Sequence, residues 1–398
     1  MKTIVPVSGT VANRSPEFCR LSLILLFMAI AALPTLAQVT STDGDWSAEY
    51  VALTNTPEAA FMVRVGDIDN LGFGWPSGFD PFSGNSTPGH GFPWTPGTND
   101  PAGTDRIMVV SSYGVVPTPC GTDGYTTSTS RPDNSVQPIV LQYNLPAMTI
   151  TNAVLQFFAD DFQAPVWCAN YQVTLNGRRV PLLEQVINQL TQTGPVGKLL
   201  TEPIPAEFLN EVASGQLSLK FDDTTTGAGD GYAIDFVKLL VNATSLPTGG
   251  VSGHVLDAVN NQPIAGAQVV SFDSTNLTDA SGAYNLQGVP AGLAFVQASA
   301  KGYLNAGRSV DVVAGQTTSG VDFVLQRGPL VLSIDRLAVT PPAVNLSFIA
   351  FSGFSYTLQT ATNLGQWMDD ETIPGPGAEV SRTRPIANTR QFWRVKQN

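Results

Sequence analysis

Apolar positions along most of this chain alternate with polar ones, the signature of strands with one face buried. Segments 62–65, 107–111, 139–143, 154–158, 171–175, 217–221 and 232–241 all predict strands. Asn176-Gly177, set between 171–175 and 178–180, predicts a tight hairpin, because Asn and Gly accept the positive φ that such a turn needs. Helical spacing occurs in Leu182, Leu183, Val186, Ile187 and Leu190, and more briefly over 207–212. About seven strands with long decorated loops and one or two short helices predict a jelly-roll-like β-sandwich over 38–245.

The first 37 residues follow a different rule. Lys2, Arg14 and Arg20 precede an apolar run over 21–33, followed by Pro34-Thr35-Leu36-Ala37. This is the layout of a secretory signal peptide cleaved after Ala37. A membrane anchor is the alternative, but the run is short of the ~20 residues a spanning helix needs, and Pro34 interrupts it. The expected product is secreted, extracellular or periplasmic, with no integral membrane segment after cleavage.

Two breaks divide the remainder. Residues 243–250 are small and rich in Gly and Pro, and 326–329 interrupt a second β pattern. The expected domains are therefore 38–245, 250–326 and 329–398, giving a mostly β protein of three β-sandwiches in series. In the middle segment, Val251 and Val255 alternate onto one strand face. Pro263 and Gly266 bracket a turn, Asp279 and Gly282 supply another, and Gly292 opens a third. With Tyr284, Leu286, Val289-Pro290 and Gly302-Tyr303, this pattern resembles the carboxypeptidase regulatory-like domain. That resemblance implies a transthyretin-like, seven-stranded sandwich of the carbohydrate-binding-like fold, carrying no catalytic residues itself. The stretch 229–239 resembles the closing strand of lectin-like jelly rolls. Residues 329–398, with Tyr356, Leu358, Trp367, Phe392 and Trp393, resemble a small accessory β-sandwich found at the C-terminus of secreted bacterial proteins.

Composition narrows the chemistry. The chain has 20 basic and 32 acidic residues, a net charge of −12, with no basic patch, so nucleic acid loses its main attraction. There are two histidines, His90 and His254, and neither begins an H-x-x-E or H-E-x-x-H zinc motif. No phosphate loop, dinucleotide fingerprint or G-x-S-x-G is present, and the expectation is a protein that is not an enzyme. A carboxylate-dependent glycoside hydrolase remains an alternative, since two acidic side chains meeting in space leave no spacing in the sequence.

Three sets of residues are candidates for function. Removal of the leader takes Cys19 and leaves Cys120 and Cys168, which in an oxidising compartment form a disulfide or else remain two thiols. Asp67, Asp69 and Asn70 at one strand end, with Asp230 and Asp235 around the closing strand, are candidate calcium ligands; Asx-turn hydrogen bonding is the alternative role. Residues 71–104 hold eight Gly, six Pro and six aromatics (Phe73, Trp75, Phe79, Phe82, Phe92 and Trp94) without one Lys or Arg. Their rings either stack on sugar faces, with Asp80, Asn85 and Asn99 fixing hydroxyls, or plug one end of the sandwich. The reading that joins these features is a non-catalytic protein binding polysaccharide or another glycan. The alternative is a structural or adhesive protein whose partners are other surface proteins.

Overall fold

The computed structural model describes residues 44–90, the backbone of 106–108, and residues 136–192, 196–226 and 230–398. In the first segment the strands are β1 (Tyr50–Thr54), β2 (Ala59–Val65), β3 (Arg106–Met108), β4 (Ile139–Gln142), β5 (Ala153–Asp160), β6 (Gln172–Leu175), β7 (Arg178–Arg179), β8 (Gly197–Pro203), β9 (Gln216–Asp222) and β10 (Tyr232–Ala243). Short helices α1 (Ala164–Trp167), α2 (Pro181–Ile187) and α3 (Leu209–Ala213) lie between them. The strands form two antiparallel layers: β1-β2-β10-β5-β8, with β3 also on β10, and β4-β9-β6-β7.

The central strands β5 and β10 are buried along almost their whole length, on both faces. That is why their sequences read as nearly continuous apolar runs rather than clean alternation. Polar residues punctuate these runs at one level. Arg64, Lys238, Gln156 and Thr201 stand side by side across β2, β10, β5 and β8, all buried. Gln156 donates to the Thr201 hydroxyl at 3.2 Å, and that hydroxyl donates to the Ala291 carbonyl at 3.1 Å, while Gln156 Oε1 has no hydrogen-bond partner among the described residues. Arg64 donates to the carbonyls of Asp45 and Ala48, and Lys238 reaches Glu58 at 2.6 Å while lying over the Phe82 ring.

The second segment contains β11 (Thr248–Asp257), β12 (Gln268–Ser271), β13 (Ser274–Leu277), β14 (Ala283–Pro290), β15 (Gly292–Ser299), β16 (Ala306–Val312), β17 (Thr317–Thr318) and β18 (Phe323–Leu325). One layer is β16-β15-β12-β13; the other places β14, β17 and β18 around β11. Val251, Val255, Leu286, Val296 and Phe323 belong to the core between them. At its edge Leu293 of β15 pairs with Leu200 of β8, so the sheets of the first two segments run into each other. Gly249 and Gly250, expected in a linker, are buried inside β11.

The third segment contains β19 (Ser333–Leu337), β20 (Ala343–Ala350), β21 (Ser355–Asn363), β22 (Gln366–Pro374), β23 (Ala378–Pro385) and β24 (Phe392–Gln397). They form two three-stranded sheets, β19-β20-β23 and β22-β21-β24, packed through Phe348, Tyr356, Ile373 and Val380. The break before it is pinned rather than loose. Arg327 donates to Asp257 at 2.7 Å, and its guanidinium lies 4.4 Å from the Phe351 ring centre. Burial pushes the Asp257 carboxyl up, but the Val259 amide, the Tyr303 hydroxyl and Arg327 together hold it below its ordinary value.

The protein is thus mostly β and built of packed sheets. The expected helix over 182–190 is observed as α2, and that over 207–212 as a 3-10 turn running into α3. Among the described residues no helix is long and apolar enough to cross a membrane. Cys120 lies outside the described residues, so the bridge to Cys168 stays an expectation.

Candidate functional site

Two features converge at one end of the first sandwich. The first is an acidic group. Asp67, Asp69 and Asp235 each present a carboxylate oxygen, and these atoms lie within 4.8 Å of one another. Asp235 gets there through a bulge. The pairing of β10 with β5 shifts register between Ile234 and Phe236, and the residue between them is re-aimed. Gly66 allows the approach, since at φ +84 a Cβ there would stand 2.3 Å from the Asp235 carbonyl. Beyond it the chain folds back through Asn70 and Leu71, both left-handed, a conformation unusual for leucine. Asp235 holds that turn by accepting the Leu71 amide at 2.7 Å, and Asp69 accepts the Gly72 amide at 2.6 Å.

Of the predicted calcium ligands, Asp67, Asp69 and Asp235 are brought together, and Asn70 is buried in the same loop. Asp230 is elsewhere: its carboxylate meets the Gln163 amide at 3.3 Å. The expected five-residue set therefore reduces to three carboxylates in one place.

The second feature is the aromatic segment. Trp75 packs edge-on against Phe158 of β5, with ring centres 5.1 Å apart, and its indole donates to the Ile68 carbonyl at 2.8 Å. Phe82 packs on Phe236, at 5.6 Å, and beneath Lys238. These two rings cover the outer face of the main sheet, joining Ile68, Phe158, Leu199 and Phe236. Phe79 lies above Trp75, centres 5.2 Å apart and planes 5° from parallel.

Phe79 also lines an open cleft of about 540 Å³ together with Asp80, Ser83, Asn85, Ser86 and Thr87. Three of the predicted binding residues, Phe79, Asp80 and Asn85, thus share one cavity. Trp75 and Phe82 do not line it: they serve the sheet behind it. Phe92, Trp94 and Asn99 lie outside the described residues. His90 is enclosed; its Nε2 lies 2.5 Å from the buried Asp160 carboxylate and its ring stacks on Phe73. His254, on β11, is 51% exposed beside Asp322.

Residues 250–326 match the family model of the carboxypeptidase regulatory-like domain, as the turn pattern implied. No curated protein matches the chain. Among solved structures, the chain is similar to a cohesin–X-dockerin complex from Acetivibrio cellulolyticus, with 21% identity, 20% of this chain and 58% of that chain covered, and a TM-score of 0.18. The chain therefore spans under two thirds of that protein's length. It is also similar to a putative carbohydrate binding protein from Bacteroides uniformis, with 12% identity, 37% and 79% covered, and a TM-score of 0.19. A third is the pilus 2b backbone protein of group B streptococcus, with 11% identity, 48% and 92% covered, and a TM-score of 0.18. None of these similarities in overall shape is high enough to carry an argument about this chain.

Proposed function

We propose that this is a non-catalytic glycan-binding protein and that the Phe79 cleft is its binding site. The observation that carries this reading is the composition of one cavity. A half-exposed ring, backed by the parallel Trp75, faces space bordered by a carboxylate, an amide and three hydroxyls. Sugars ask for this mixture: an apolar surface for the C–H face of the ring, and fixed donors and acceptors for its hydroxyls. Holding Phe79 against Trp75 orders the ring before ligand arrives, which lowers the entropy lost on binding.

Among the described residues the lining contains no Lys or Arg, and its charged member is Asp80. A uronic-acid or sulfated chain would meet repulsion without a compensating cation, so the ligand favoured is a neutral polysaccharide. Pull-down on insoluble cellulose, xylan and mannan, beside pectin and an array of acidic glycans, tests this. Retention on a neutral polymer supports the reading, and selective retention of acidic glycans opposes it.

Export belongs to the same reading. The mature protein begins at Gln38 and carries a Cys120–Cys168 bridge, which the intact mass and thiol count of secreted material check together. We place calcium at Asp67, Asp69 and Asp235. These are hard oxygen ligands of the type the ion takes.

A further inference from the structure

The cleft has two walls of different origin. Phe79 is anchored through Trp75 to Phe158, which belongs to the first sandwich. The polar wall, residues 83–87, runs along the seam where the first and second sandwiches meet. Ser83 accepts the Ala314 amide at 2.9 Å across that seam. Gly84 is buried at φ +84, and a Cβ there would stand 2.0 Å from the Val312 carbonyl and 2.7 Å from the Gly292 amide. No side chain fits between these backbones.

Thr87 closes the other end of the wall. Its amide donates to the Gly197 carbonyl at 3.0 Å, and its hydroxyl accepts the Gly197 amide at 2.8 Å. Gly197 begins β8, the strand whose Leu200 pairs with Leu293 of the second sandwich. Beside it, Lys198 reaches both carboxylate oxygens of Asp311 at 2.8 and 2.9 Å.

We propose that the carboxypeptidase regulatory-like domain is a structural wall of the cleft, with Asp311, Val312 and Ala314 positioning the 83–87 edge opposite Phe79. The binding unit is then the pair of sandwiches, because the spacing between the aromatic and polar walls is set by how the two domains sit on each other. This inference rests on the glycan reading for its ligand, though not for its geometry.

The test uses the full chain. Gly84→Ala forces the wall off Val312 and should weaken binding to the neutral polysaccharide at least tenfold, with the far-UV circular dichroism retained. Asp311→Lys sets two cations together at the seam. It should weaken binding about threefold and speed hydrogen exchange at the Ala314 and Thr87 amides, and Lys198→Asp in the same chain should restore both. Asp311 does not line the cleft, so rescue by charge reversal distinguishes positioning from loss of a contact. Unchanged exchange at Ala314 and Thr87 in Asp311→Lys, or unchanged affinity in Gly84→Ala, would overturn the proposal. Should the wild-type chain retain no glycan at all, the ligand reading fails, and the exchange rates alone decide for or against the seam.

Discussion

The rings of Trp75 and Phe79 lie 5.2 Å apart and 5° from parallel, yet they face different things. Trp75 is turned toward Phe158 and the sheet, whereas Phe79 borders the cleft. The same stack divides stability from recognition. Trp75→Ala should cost about 2–4 kcal/mol of folding stability, because it removes the packing over Phe158 and the bond to the Ile68 carbonyl. Chemical denaturation of the variant measures it, and a loss below about 0.5 kcal/mol would contradict the placement of Trp75 as a sheet cover.

Glu202 supplies a pH dependence. It lies on β8, 5% exposed, cross-strand from Leu155, and its Oε1 has no hydrogen-bond partner among the described residues. Burial pushes its carboxyl from 4.5 up to about 8. The folded state therefore keeps a proton that the unfolded state gives up above pH 4.5, so this group's contribution to stability falls as pH rises from about 4.5 to about 8. Glu202→Gln should remove that slope and be more stable than wild type at pH 8, by a few kcal/mol. Parallel pH–stability curves for the two chains would refute the assignment.

Calcium is read by heat. If the ion joins Asp67, Asp69 and Asp235, chelation should lower the melting temperature, and added calcium should restore it. Asp69→Asn should reduce the restoration. A melting temperature indifferent to both chelator and calcium removes the ion from the account and leaves these carboxylates as turn acceptors for Leu71 and Gly72.

Much of this fold was legible because the alternation of Ile139, Leu141, Leu217 and Leu219 maps directly onto one buried sheet face. One of the strands missed has a confused pattern. In β8, Lys198, Thr201 and Glu202 sit among apolar residues, and the strand is buried on both sides, so neither alternation nor a clean apolar run survives. The site was half legible. Asp67 and Asp69 stand two apart in the sequence, but Asp235 joins them only through a bulge, which leaves no residue signature. Composition marked the aromatic segment without saying which ring packs and which is presented. That choice depends on Phe158 and Phe236 across the fold. The seam was invisible, since Lys198 and Asp311 are 113 residues apart and their types are ordinary.

The most direct measurement is calorimetric titration of wild type and Phe79→Ala with the neutral polysaccharide retained in pull-down, each beside its own melting curve. Phe79 gives the cleft its apolar face while Trp75 carries the packing beneath. The account predicts at least a tenfold loss of affinity in Phe79→Ala, about 1.4 kcal/mol, with a melting temperature within ~2 °C of wild type. Affinity equal to wild type in a folded Phe79→Ala protein would contradict the claim that this cleft binds the glycan.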